Sequence, residues 1–170
     1  MEVTNHELWT LIHGMVLGTV FLLGFGGGLV ELYTLRAGRI TPHGVVERTR
    51  RLKAGMVTMT VMVWLAVITG TWIAYPWYRS TTSASPKSTL LADPSTAGWH
   101  EFAMEWKEHI AWVSPILMTV VAFGVLYYGD YLVHRRGLRN VLMTIFALAF
   151  LTAGVAGLMG ALITKAAPIH

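Results

Sequence analysis

Four long apolar stretches divide the chain, and polar segments separate them. Their approximate limits are residues 8–35, 54–75, 110–133 and 140–164. A helix needs about 20 apolar residues to cross the hydrocarbon core of a bilayer, so each stretch is long enough to span a membrane. The pattern predicts an all-α integral membrane protein, with one domain over residues 1–170 and four transmembrane helices in an up-down-up-down bundle.

The basic residues between these stretches predict the orientation of the bundle. The first and third connections hold nine Lys and Arg, against four in the other exposed segments. By the positive-inside rule those two connections lie in the cytoplasm. Both termini and the long second connection, residues 76–109, are then expected outside. The inner membrane of a bacterium is the expected location.

Composition supports the membrane class and excludes several kinds of chemistry. Hydrophobic residues make up 54% of the chain and charged residues 13%, whereas about 25% of a soluble domain is charged. The absence of cysteine excludes disulfides, thiolate metal sites, iron–sulfur clusters and covalently attached haem. The net charge of +4 comes from residues flanking the apolar stretches, so it indicates topology and no nucleic-acid partner.

The segment Trp99–Trp112, reading WHEFAMEWKEHIAW, concentrates polar chemistry just before the third apolar stretch. Glu101, Glu105 and His109 recur at intervals of four residues and therefore share one face of a helix. We predict a short amphipathic helix from Trp99, leading into the third span. The preceding residues 80–98 are rich in Ser, Thr, Ala and Pro and are expected to form an irregular loop.

Two histidines are predicted at the same depth in the membrane. His13 precedes Arg36 by 23 residues, and His109 precedes Arg135 by 26, which places them roughly 35 and 39 Å from the cytoplasmic basic residues. Both then lie near the outer edge of the hydrocarbon. The first and third helices of an up-down bundle are diagonal neighbours, so the two side chains can meet across the core. Histidine at such a depth indicates a functional site.

Axial ligation of one b-type haem is the first interpretation of this pair. Two neutral imidazoles on facing helices can hold a haem iron, with His13 and His109 as the metal ligands. Gly14 and Gly18, beside and one turn below His13, would leave room for the porphyrin ring. Glu105 could fix the tautomer of His109 by accepting its second N–H.

With this pair on four spans, the chain resembles the membrane-embedded b-type cytochromes, small haem-bearing helical subunits that pass electrons between quinol and partner proteins. Many such proteins carry two histidine pairs near opposite faces, whereas the cytoplasmic halves of these spans hold none, which limits the bundle to one haem. The resemblance implies quinol oxidation at the outer face. It also implies a periplasmic electron-transfer partner, and a redox subunit of a larger complex more than a stand-alone enzyme.

Three alternatives remain open at this point. A non-haem metal could be bound by Glu101, Glu105 and His109 on one helix with His6 and His13 on another. The same His and Glu residues could instead accept protons from a quinol without any bound metal. A third alternative is a non-catalytic structural subunit of a respiratory or photosynthetic complex. Glycine-rich helix faces predict contact with other membrane subunits or with further copies of the chain.

Near the cytoplasmic boundary, carboxylates accompany the basic residues. Glu31 and Asp130 are each close in sequence to an arginine. We expect them to form ion pairs with Arg36 or Arg135.

Overall fold

The computed structural model describes residues 4–36 and 40–168. Over this part of the chain it contains helices and connecting turns without any strand. The helices are α1 (Asn5–Thr34), α2 (Pro42–Tyr78), α3 (Pro86–Ala92), α4 (Trp99–His134) and α5 (Arg136–Ala166). All except α3 are long and apolar enough to cross a membrane. The prediction of an all-α integral membrane protein with four membrane helices is confirmed.

The four long helices form a ring in the order α1, α2, α4, α5. Helix α1 packs against α2 and α5, and α4 packs against the same two helices. Helices α1 and α4 therefore lie diagonally across the bundle, as expected for the first and third spans of an up-down-up-down bundle.

The middle of the bundle is a close-packed apolar core. Phe21, Met56, Met118 and Phe146, one from each long helix, are almost completely buried. Gly28 on α1 allows this packing, because a Cβ there would lie 2.9 Å from the Phe146 ring. A small residue at this position lets neighbouring helices approach closely, which explains part of the glycine pattern of α1.

Helix starts are encoded locally. Thr4 and Glu7 form a capping box, in which the Glu7 N–H donates to Thr4 Oγ1 at 3.2 Å and the Thr4 N–H donates to Glu7 Oε2 at 2.7 Å. Thr41 accepts from the Gly44 N–H, and Pro42 occupies the first turn of α2. Helix α2 therefore begins well before the apolar stretch that predicted it and carries Arg48, Arg50, Arg51 and Lys53 of the first connection on its first turns.

The segment before the third span is more helical than expected. The chain is helical from Trp99 and merges into the third span, with wide π-helical turns at Trp99–Met104. A separate short helix, α3, lies in the segment that was expected to be an irregular loop. Ser85 caps it, and Leu90 anchors it through complete burial. The Ser and Thr content that suggested a loop includes this N-cap, which is where serine favours helix formation.

Candidate functional site

Most of the site residues predicted from the sequence lie near one end of the bundle, where α1 and α4 begin and α2 and α5 end, and Gly18 lies further along α1. We call it the terminal end. It has a small apolar core of its own, formed by Tyr78, Leu90, Met104, Ile163 and neighbours. The helices contact one another here. Whether a predicted ligand points into the bundle therefore depends on the rotation of its helix about the helix axis.

His13 lies in a stretch of wide π-helical turns in α1, Ile12–Gly18. Such turns are rare and often occur at functional sites. Its ring points to α2, where Nδ1 lies 2.6 Å from the carbonyl oxygen of Ala66. A carbonyl only accepts hydrogen bonds, so Nδ1 carries the proton and Nε2 keeps the lone pair. Ring atom Cε1 is 2.6 Å from the position that a Cβ would take at Gly70. The absence of a side chain at Gly70 therefore makes room for the imidazole.

His109 does not face the packed interior of the bundle. Its side chain is exposed, and its Nδ1 lies 2.7 Å from the backbone carbonyl of Glu105, one turn earlier in α4. The ring of His13 is against α2, so the two imidazoles have different neighbours and make no contact in the described chain. The structure thus gives each ring a free Nε2 but does not bring the pair together.

Lys107 is the residue of α4 that points into the bundle at this depth. Its Nζ lies 2.9 Å from the position of a Cβ at Gly160 on α5. It also lies within electrostatic range of His13. No carboxylate of residues 4–36 or 40–168 pairs with it. Sequence analysis interpreted Lys107 only as a topology charge. The signal that could have found it is its spacing from Met104 and Ser114, which are buried on the same helix face.

Gly14 and Gly18 leave open surface beside His13. A Cβ at Gly14 would meet nothing within 4 Å, and one at Gly18 would meet only the His13 carbonyl oxygen at 3.7 Å. Neither glycine is needed for packing among the described helices. They differ in this respect from Gly24, where a Cβ would lie 2.7 Å from the sulfur of Met59.

Glu105 has a different role from the one predicted. Its carboxylate accepts a short hydrogen bond from Nη2 of Arg79, and Glu108 lies 3.2 Å from the same nitrogen. The Tyr75 hydroxyl donates to Glu108 at 2.8 Å. The carboxylate of Glu105 therefore ties α4 to the end of α2, and His109 is held by the Glu105 carbonyl instead. The charged guanidinium of Arg79 is a stronger hydrogen-bond donor to the Glu105 carboxylate than the N–H of a neutral His109 would be.

Two other histidines at this end make structural contacts. The Tyr78 hydroxyl and His100 Nδ1 are 3.0 Å apart, and both side chains are buried. His6 stacks on Trp77 with ring centroids 5.0 Å apart. Within the described part of the chain, no three His, Asp or Glu side chains are grouped so that they could hold a metal ion. The set considered for a non-haem metal is thus dispersed.

Comparison with protein-family models, curated proteins and solved structures finds no match to this chain. The class of protein is therefore defined by the fold itself. It is an all-α integral membrane protein with four membrane helices and a polar, histidine-bearing end.

Proposed function

We propose that the chain is a membrane electron-transfer subunit that binds one b-type haem near the terminal end, with His13 and His109 as axial ligands. It acts within a larger complex, takes electrons from a quinol and passes them to a periplasmic protein. In this proposal the terminal end faces the periplasm of a bacterial inner membrane, in agreement with the distribution of basic residues.

The observation that carries the proposal is the hydrogen bonding of the two rings. Each imidazole donates its Nδ1–H to a backbone carbonyl, of Ala66 for His13 and of Glu105 for His109. Histidines that bind metals usually have the second nitrogen fixed in this way, which leaves Nε2 free to ligate and makes the ring more basic. The donor atoms are of the type that holds a bis-imidazole haem, which would supply one-electron transfer when bound.

The surroundings of His13 also suit a flat group. Gly14 and Gly18 leave open surface beside it. The side chains that fill the space over Gly70 and Gly160 are His13 itself and the flexible chain of Lys107. The Lys107 chain is flexible and can leave this space without a change in the backbone.

Ligation of one haem by both histidines requires the first part of α4 to rotate about the helix axis. His109 is on the exposed face, whereas Lys107, two residues earlier and about 200° away around the helix, faces inward. The short α-helical segment Glu105–Ile110 has wide turns before it and an irregular turn at residues 111–112 after it. These two interruptions allow the segment to rotate, and the contacts of Arg79 with Glu105 and Glu108 oppose that rotation.

The decisive experiment is a reduced-minus-oxidised absorption spectrum of the purified protein. We expect b-type bands that disappear in His13→Ala and in His109→Ala. The matched control is His43→Ala, an exposed histidine at the opposite end of the bundle, which should keep the bands. Bands that survive both ligand substitutions would overturn the assignment of these two residues.

A second candidate function is a non-catalytic structural subunit of a respiratory or photosynthetic complex. It is favoured by the exposure of His109 and by the close fit of His13 against Gly70, since each histidine then has a purely structural explanation. In that case the open glycines of α1 would pack against a partner helix or another copy of the chain. A colourless wild-type protein that co-purifies with other membrane subunits would support this candidate and exclude the haem.

A further inference from the structure

A second site lies at the opposite end of the bundle, at the tight turn between α4 and α5. An open pocket of about 560 Å³ is lined there by Tyr128, Tyr131, His134, Arg135, Arg136 and the first turn of α5. We call it the turn pocket. We infer that the turn pocket binds the phosphate headgroup of an anionic phospholipid. This inference is independent of the haem proposed at the terminal end.

The charges of the pocket are not neutralised by the protein. Neither Arg135 nor Arg136 forms an ion pair with a carboxylate of the described residues. The expected pairing of Asp130 with Arg135 is absent, and Glu31 approaches Arg51 instead, at 3.7 Å. Arginine binds phosphate strongly because its planar group of N–H donors matches the phosphate oxygens. Two such groups lining one pocket without a carboxylate partner favour an anionic ligand.

Tyr131 holds the guanidinium of Arg135 in position. The guanidinium carbon lies 4.6 Å from the centre of the Tyr131 ring, and Nη2 donates a short hydrogen bond to the Tyr131 hydroxyl. The remaining N–H groups of Arg135 are then free for a ligand. The ordering of a flexible side chain before binding reduces the entropy lost on binding.

The backbone beneath the pocket is also fixed in advance. Arg139 is 4% exposed, and its Nη1 donates to the carbonyls of Leu132 and Val133 at 2.6 and 2.9 Å. Gly129, with a positive φ of 47°, bends the chain into the tighter turns at the end of α4. The shape of the turn pocket therefore does not depend on the ligand.

The start of α5 contributes to the same site. No side chain caps this 31-residue helix. The N–H groups of a first turn point along the helix axis and carry partial positive charge, which favours an anion. They add to the arginine side chains that define the pocket.

A lipid is the anion that this location selects. The pocket lies where two membrane helices end, and Tyr127, Tyr128 and Tyr131 are exposed around it. Tyrosine is enriched at the level of the lipid headgroups. Basic pockets between membrane helices at that level bind acidic headgroups. A phospholipid phosphate is therefore already present at the height of the arginines.

The experiment is lipid retention by the full-length protein. The protein is reconstituted in nanodiscs of phosphatidylcholine mixed with phosphatidylglycerol, extracted in mild detergent, and its bound lipids are measured by native mass spectrometry. We expect the wild type to retain phosphatidylglycerol in preference to phosphatidylcholine. The double variant Arg135→Gln/Arg136→Gln should lose most of that preference. Tyr131→Phe should lose part of it, because Arg135 loses its hydrogen bond to the hydroxyl and keeps only its contact with the ring.

The control removes equal charge at the same end of the bundle. Arg48 and Arg50 lie outside the turn pocket, so the double variant Arg48→Gln/Arg50→Gln should retain phosphatidylglycerol like the wild type. Equal retention of both lipids by the wild type, or equal losses in the two double variants, would overturn the inference. A further arm adds inorganic phosphate, and complete displacement of the lipid by it would show that the site recognises free phosphate. If the double variant fails to fold, Tyr131→Phe and the wild-type preference still decide the outcome.

Discussion

The imidazole of His13 on α1 rests on the backbone of Gly70 on α2, with Cε1 2.6 Å from the position that a Cβ would take. This contact joins two helices at the depth where a histidine was predicted to be functional. It also shows why a glycine occurs at this point of α2, where an alanine would otherwise favour the helix. The contact can be tested without assuming any cofactor.

Replacing Gly70 with alanine should displace the His13 ring and destabilise the protein. Overpacking at a close contact costs about 1–3 kcal/mol, which here exceeds the gain in helix propensity. Thermal unfolding in detergent, followed by tryptophan fluorescence, measures the effect. Gly14→Ala is the matched control, since a Cβ there would meet nothing within 4 Å. Equal stability of the two variants would show that His13 does not lie on Gly70.

The contacts of Arg79 should stabilise the terminal end by joining α2 to α4. We expect Arg79→Met to lower the unfolding free energy by about 1 kcal/mol, because Glu105 and Glu108 lose a charged donor that is partly exposed to solvent. Arg50→Met serves as the control, because among the described residues Arg50 pairs with Glu47 alone and its side chain is 77% exposed. A double-mutant cycle of Arg79→Met with Glu108→Gln measures the coupling directly. Strict additivity in that cycle would contradict the contact.

Arg139 should be one of the most sensitive positions at the other end of the bundle. Arg139→Met removes the side-chain donor from the carbonyls of Leu132 and Val133 and leaves the Leu132 carbonyl with the Arg135 N–H at 3.2 Å, which should cost about 1–3 kcal/mol. Arg136→Met is the control, since that side chain is exposed. Chemical denaturation in detergent gives both values. A similar loss in the two variants would indicate a general effect of charge and would exclude a stabilising role for the Arg139 hydrogen bonds to these carbonyls.

Lys107 should be replaceable by an uncharged side chain of similar length. It forms no ion pair with a carboxylate of the described residues and its Nζ lies over Gly160, so Lys107→Met removes a charge without a direct partner while keeping the packing. We expect stability in thermal unfolding to be unchanged or up to about 1 kcal/mol higher. Lys165→Met, near the end of α5, provides the comparison. A marked loss of stability confined to Lys107→Met would reveal a partner for its ammonium group.

Much of the architecture could be predicted from the chain alone. The thickness of a bilayer sets the length of an apolar helix, so four stretches of suitable length predict four membrane helices. In an up-down-up-down bundle consecutive spans are neighbours, which places α1 and α4, the first and third spans, on a diagonal. Local signals such as Thr41 before Pro42 also mark helix starts. These features depend on composition and on residues close together in sequence.

The rotation of α4 about its own axis was decided only by the tertiary structure. His109 and Lys107 are two residues apart, and which of them faces inward depends on how α2 and α5 pack against the helix. A membrane helix carries apolar side chains on every face. The hydrophobic pattern therefore indicates the length of the helix better than it indicates which face is buried. The hydrogen-bond partner of the Glu105 carboxylate was likewise decided by the tertiary structure, because Arg79 is 26 residues away in sequence. The place of His13 in the first part of α1 was therefore predictable, whereas its contact with Gly70 required the packed bundle.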